Sequence, residues 1–247
     1  GRAFPAPVRA NFLVPRPQSL RVQHTRRSAI AAIGAAGLGG VTGCLGGASG
    51  GGSAGDGGTP IGEHPATAGL TDQPSLGPDD APATIVAFED PSCPTCRNFE
   101  ENAGARLRSG PVADGDLRFV SRVYPIVYPW GKPAVQALEA VYARDGGAEV
   151  YWDLFDHYFA TQGRFSEDNV LDRTESWLAS NTDLDASAVV EDAAAEAYDD
   201  AVQADLDAGE AAGTTRTPTV FLFRDGAYVT TASGSVSYET IASALQL

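Results

Sequence analysis

The apolar residues of this chain are grouped rather than evenly spread. From Thr84 to Phe88, within "APATIVAFED", they form an unbroken β-branched and aromatic run, the pattern of a strand buried on both faces. "CRNFEENAGARLRSG" then has helical composition and ends at Gly110, and a second strand is expected over residues 116–125 in "DLRFVSRVYP". Strand, helix, strand predicts a parallel pair joined by a crossover. From about residue 131 to 212 the pattern becomes helical. Segments 133–147, 148–163, 166–181 and 185–213 each carry apolar residues three and four apart, with Gly or Asn at their ends. The strand pattern returns in "PTVFLFRDGAYVTT", where Asp225-Gly226 forms a hairpin turn, and a last helix is expected in "SYETIASALQL". The expected class is α/β, with strands on either side of a helical insertion.

The amino-terminal third differs in kind. In "HTRRSAIAAIGAAGLGGVTGCLGG", paired Arg26 and Arg27 precede thirteen uncharged residues, Ala29 to Val41, a stretch too short to span a bilayer as a helix. The arginine pair, the mildly apolar Ala/Gly run and the small residues before Cys44 resemble a twin-arginine export signal ending in a lipobox, "VTGC". That resemblance implies a leader over residues 1–43, a lipid on Cys44, and an extracytoplasmic protein held at the membrane. Eight glycines in the next fourteen residues read as a flexible linker over 44–75, leaving 76–247 as the folded domain.

Charge narrows the partners. The chain has 32 acidic and 17 basic residues, and six of the basic ones are arginines ahead of position 28. Lys132 is the sole lysine. Phosphate binding needs clustered Lys and Arg, so nucleic acid is a poor partner. The acidic, lysine-poor composition resembles that of proteins from extreme halophiles, and simple solubility through net charge accounts for it equally well.

The chemistry is concentrated in "DPSCPTCRN". A cysteine at the start of a helix has its thiolate stabilised by unpaired N–H groups and the helix dipole, so Cys93 should ionise below the usual value of about 8.5 and act as the attacking sulfur. Cys96, one turn further on, is placed to resolve a mixed disulfide; Pro94 stiffens the turn and Thr95 offers a hydroxyl hydrogen bond. Two other readings compete. A structural disulfide would close only a four-residue loop, worth roughly 2 kcal/mol. A metal site, copper handling being its most plausible form, has only His64 and His157 to draw on beyond the leader, so no metal or other cofactor is expected.

A strand, CPxC at a helix start, a late "TPT" strand, a DG hairpin and a closing helix together resemble the thioredoxin fold. The helical insertion, the lead-in "GPDDAPATIVAFEDPSCPTC" and the aromatic "YWDLFDHYFATQGRFSEDNV" are similar to its DsbA-like branch. The resemblance covers residues 76–247 and implies a thiol-disulfide oxidoreductase with a cis-proline at Pro218, whose neighbour Thr217 would present its backbone to an extended substrate. It also implies exported protein thiols as substrates and a membrane redox partner. An oxidase making disulfides is the expected direction, with a reductase or isomerase as the alternative. Many relatives place a buried carboxylate six residues before the first cysteine. Here that position is Ala87, and whether Glu89 or Asp90 takes over stays open.

Overall fold

The computed structural model describes residues 58–247; Cys44 and the leader lie outside them. Strand β1 (Ser75–Leu76) is followed by β2 (Ala83–Glu89), and β3 (Leu117–Val123), β4 (Thr219–Arg224) and β5 (Ala227–Ser233) complete one sheet in the order β1-β3-β2-β4-β5. β2 and β3 run parallel, with Ile85 opposite Phe119, and the other pairings are antiparallel. The hairpin between β4 and β5 turns on Asp225 and Gly226, which both adopt positive φ, as a tight turn requires. Central β2 is buried along its whole length. Its alternating side chains feed two cores: Ile85 and Ala87 on one face, Val86 and Phe88 on the other.

Helices α1 (Pro94–Phe99) and α2 (Ala105–Leu107) lie between β2 and β3, and α8 (Tyr238–Leu245) closes the chain. The insertion between β3 and β4 consists of α3 (Gly131–Tyr142), α4 (Gly147–Ala160), α5 (Val170–Asn181), α6 (Ala186–Ala194) and α7 (Asp199–Ala211). Two expectations need correction here. The helix that starts at the cysteine motif does not stop at Gly110. It continues through π turns at Glu100–Gly104 and Arg108–Val112, because Glu100 and Arg108 are drawn inward and each wider turn absorbs an extra residue. The stretch 185–213 is broken between α6 and α7, where Glu196 takes a left-handed conformation and Tyr198 packs against the core.

A third difference concerns the linker. Residues 58–76 do not form a flexible tether, because the second face of the sheet needs a cover. Ile61, Ala66 and Leu70, carried on three short 3-10 turns, pack with α7 over Val86, Phe88, Phe221 and Phe223. His64 stacks on Tyr228 at 4.7 Å, and Gly58 lies so close to the Tyr228 carbonyl that a Cβ would clash with it. One buried ion pair joins these parts. Arg122 Nη1 meets Asp205 Oδ1 at 2.6 Å, its other arm donates to the Ala68 carbonyl, and Asp205 Oδ2 accepts from Val123 N at 2.8 Å. Both side chains are essentially inaccessible, so removing one partner strands the other's charge. Asp205→Ala should therefore cost about 3–5 kcal/mol, read as a lower urea midpoint with an unchanged slope.

Candidate active site

The site forms at the carboxyl end of β2. Asp90 leaves the strand and accepts three backbone N–H bonds: Ser92 on Oδ1 at 2.7 Å, and Ile126 and Val127 on Oδ2 at 2.9 and 2.7 Å. Ser92 Oγ accepts from Tyr128 N at 3.0 Å, so the 126–128 loop is fastened beside the dithiol with Ile126, Val127 and Tyr128 facing solvent. Cys93 is the N-cap of α1 and Pro94 occupies its first turn, where a missing N–H costs nothing. Cys96 is fully buried one turn on, and Cys93 is only 4% exposed, more enclosed than an attacking thiol read from sequence would suggest.

The two sulfurs are unequal. Cys93 is pushed down from the ordinary 9.0 to about 5, first by the hydrogen bond from the Cys96 thiol, against burial, and then by Thr217 and the backbone N–H groups of Cys96 and Thr95. Cys96 is pushed well up, first by burial and then by its hydrogen bond to Cys93 and the nearby Glu89 charge. Thr217 and Pro218 arrive from the opposite side. Their peptide is cis, and the Thr217 carbonyl lies 3.4 Å from Cys93 Sγ. The Thr217 hydroxyl is buried without a hydrogen-bond partner. Cys93, Cys96, Pro94, Thr95, Thr217 and Pro218 thus converge on one surface, with the Ser235 hydroxyl 3.4 Å from the Thr95 carbonyl at its edge.

The family model for thioredoxin matches residues 70–246, most of the chain. The chain belongs to the thioredoxin family. Within the family its likeness is to the DsbA-like branch. Disulfide bond formation protein D of Bacillus subtilis is 29% identical over 152 residues, 61% of this chain and 67% of that protein. A probable disulfide bond formation protein D of Bacillus anthracis is 29% identical over 96 residues, and the chain spans only 43% of its length. Oxidised BdbD from Bacillus subtilis superposes with a TM-score of 0.64 at 24% identity, covering 77% of this chain and 98% of that one. A variant of Wolbachia pipientis α-DsbA1 gives 0.61 at 19% identity, over 72% and 91% of the two chains. These likenesses show a thioredoxin fold carrying the DsbA-type helical insertion.

At this thioredoxin-family site the sequence left Glu89 open and assigned no role to Gln162, Glu100 or Arg108. Gln162, in the turn after α4, donates its amide to the carbonyls of Pro91 at 2.8 Å and Cys93 at 2.9 Å and so clamps the insertion to the cysteine loop. Glu89 and Glu100 are buried beneath the dithiol, with Arg108 Nη2 2.9 Å from Glu100. Of the two histidines among the described residues, His64 lies on the far face of the sheet and His157 stacks on Trp177 at 5.1 Å. No group of three potential metal ligands occurs among the described residues.

The pH dependence follows from Cys93. Its folded value lies below its unfolded value, so the thiolate's contribution to the reduced fold is complete above about 9 and is lost as pH falls towards about 5. Carboxylates common to both redox forms largely cancel. Calorimetry of the two forms should therefore show the reduced protein losing stability relative to the oxidised one between pH 9 and 5, while thiolate absorbance near 240 nm appears with a midpoint close to pH 5.

Proposed function

We propose that this DsbA-like thiol-disulfide oxidoreductase introduces disulfides into exported proteins, as a membrane-tethered oxidase. The observation that carries the reading is the stabilised Cys93 thiolate. A dithiol whose attacking sulfur ionises near pH 5 has a favoured reduced form, so its disulfide is a ready electron acceptor. The same low value makes Cys93 a good leaving group, which favours release of an oxidised client over reduction of one.

A client thiolate attacks Cys93 Sγ of the Cys93–Cys96 disulfide, the S–S bond breaks, and Cys96 departs with the electron pair and takes up a proton. A second client thiol, deprotonated, then attacks the client sulfur of the mixed disulfide. The client leaves with its own disulfide, Cys93 leaves as thiolate, and two electrons remain on the protein for a membrane redox partner to remove. Thr217, beside Cys93, offers its backbone to an extended client segment, and Pro218 fixes where that segment crosses the sulfur. Pro94 and Thr95 shape the turn between the sulfurs.

Cys96→Ser should trap clients as mixed disulfides through Cys93, whereas Cys93→Ser should trap almost none. Non-reducing gels of each variant isolated from cells measure this, and equal trapping by both would sink the assignment of roles. The tether rests on Cys44: Cys44→Ser should move the protein from the membrane to the soluble fraction with its rate of thiol oxidation unchanged.

A further inference from the structure

Acidic residues outnumber basic ones in this chain, so a guanidinium should rarely lack a carboxylate. Eleven basic residues lie at or beyond position 58, and seven of them are in ion pairs. Among the described residues Lys132, Arg164, Arg173 and Arg216 are in none. Three of these four border the dithiol. Arg216 precedes Thr217, and Lys132 follows Gly131, where a Cβ would fall 2.6 Å from Asp90 Oδ1. Arg164 stands two residues past Gln162, whose amide reaches the Cys93 carbonyl at 2.9 Å.

Arg164 and Arg173 line one pocket of about 340 Å³ between α4 and α5, together with His157, Trp177, Ser176 and Asn181. Helix α5 also carries Asp172 and Glu175, yet no carboxylate lines the pocket. His157 stacks on Trp177 with ring centroids 5.1 Å apart. Phe165 meets His157 at 5.9 Å and Trp130 at 5.2 Å, so one aromatic row runs from the pocket to the turn that packs on Asp90. His157 holds a proton less readily than usual, first through burial and then through the Arg164 charge. The positive charge of the pocket therefore comes from its two guanidinium groups.

These groups suit a carboxylate, because a guanidinium fork binds its planar oxygens through paired N–H donors and the Trp177 ring offers apolar cover for the methylenes behind it. The position suits a client. By way of Gln162, Arg164 is on the order of 15 Å from the Cys93 sulfur, which an extended chain spans in about four or five residues. We propose that the α4–α5 pocket is a subsite for an acidic side chain of the client segment that crosses Cys93, with Arg164 and Arg173 as its specificity-determining residues. This rests on the oxidase reading above. Arg216 and Lys132 extend the same preference to the other side of the dithiol. An anionic lipid surface presents similar chemistry, but the chain's formal net charge of −15 repels a continuous negative sheet far more than one short peptide.

The test is single-turnover oxidation, by the oxidised full chain at neutral pH, of two dithiol peptides that differ only in carrying Glu or Gln at the fourth and fifth residues on either side of the cysteine pair. The ratio of the two rates is the readout, because the thiol chemistry common to both peptides cancels in it. The wild type should favour the Glu peptide about fivefold, and the ratio should fall to about one in Arg164→Gln/Arg173→Gln. Arg106→Gln/Arg144→Gln, which removes the same charge from ion pairs elsewhere, should keep the wild-type ratio. Cys93 thiolate absorbance in each variant checks folding. A wild-type ratio near one overturns the inference, as does a ratio that survives in Arg164→Gln/Arg173→Gln. Equal loss in the charge-matched variant also overturns it, since that is the mark of net charge rather than a pocket. Binding of the Cys44→Ser form to phosphatidylglycerol vesicles that is lost with Arg164 and Arg173 would assign the pocket to a lipid headgroup instead. If the wild type oxidises neither peptide, the oxidase reading fails and takes this inference with it; an active wild type without the preference removes the inference alone.

Discussion

Strand β2 is buried on both faces along its whole length, and the rest of the structure follows from that constraint. A strand with apolar side chains in both directions needs two covers. The cysteine helix, α8 and the first helices of the insertion supply one, and α7 with the 58–72 segment supplies the other. Where the strand ends, the same alternation delivers Glu89 to the interior beneath the dithiol and Asp90 to the loop that carries it. The site is thus the place where a doubly buried strand runs out of apolar residues, and polar groups arriving there have no access to water.

That lack of water sets the electrostatics. A thiolate on Cys93 is tolerated because hydrogen-bond donors replace the solvent it lost: the Cys96 thiol and the first N–H groups of α1. Cys96, a turn deeper, has no such set and faces a carboxyl instead. The two sulfurs share a motif of four residues and differ in ionisation because one occupies the helix end and the other its first turn. In exchange chemistry that difference gives direction, since the better leaving group is the one that departs last.

Much of this was legible in the sequence. The continuous run at 84–88, the DG hairpin and the CPTC motif each have a local signature, and each forms where expected. What escaped depends on groups far apart in the chain. The 58–72 cover has three apolar residues, Ile61, Ala66 and Leu70, scattered among Pro and Gly without a period, and they make sense only against the sheet face they fill. Glu100 is as charged on paper as its neighbour Glu101, yet one is 3% exposed and the other, with its side chain 47% exposed, pairs with Arg97 at the surface. No pattern in "FEENAG" separates them; the π turn does, and that turn depends on Arg108 and Gly104.

Gln162 bears on how such a protein can diverge. Its single amide group holds two carbonyls of the cysteine loop, so an insertion of some eighty residues, α3 to α7, is hydrogen-bonded to the reacting end of the chain on its inner side. The outer surface of those helices is therefore open to drift in charge and shape while that contact stays in place. Client preference and redox chemistry can then evolve as nearly independent traits.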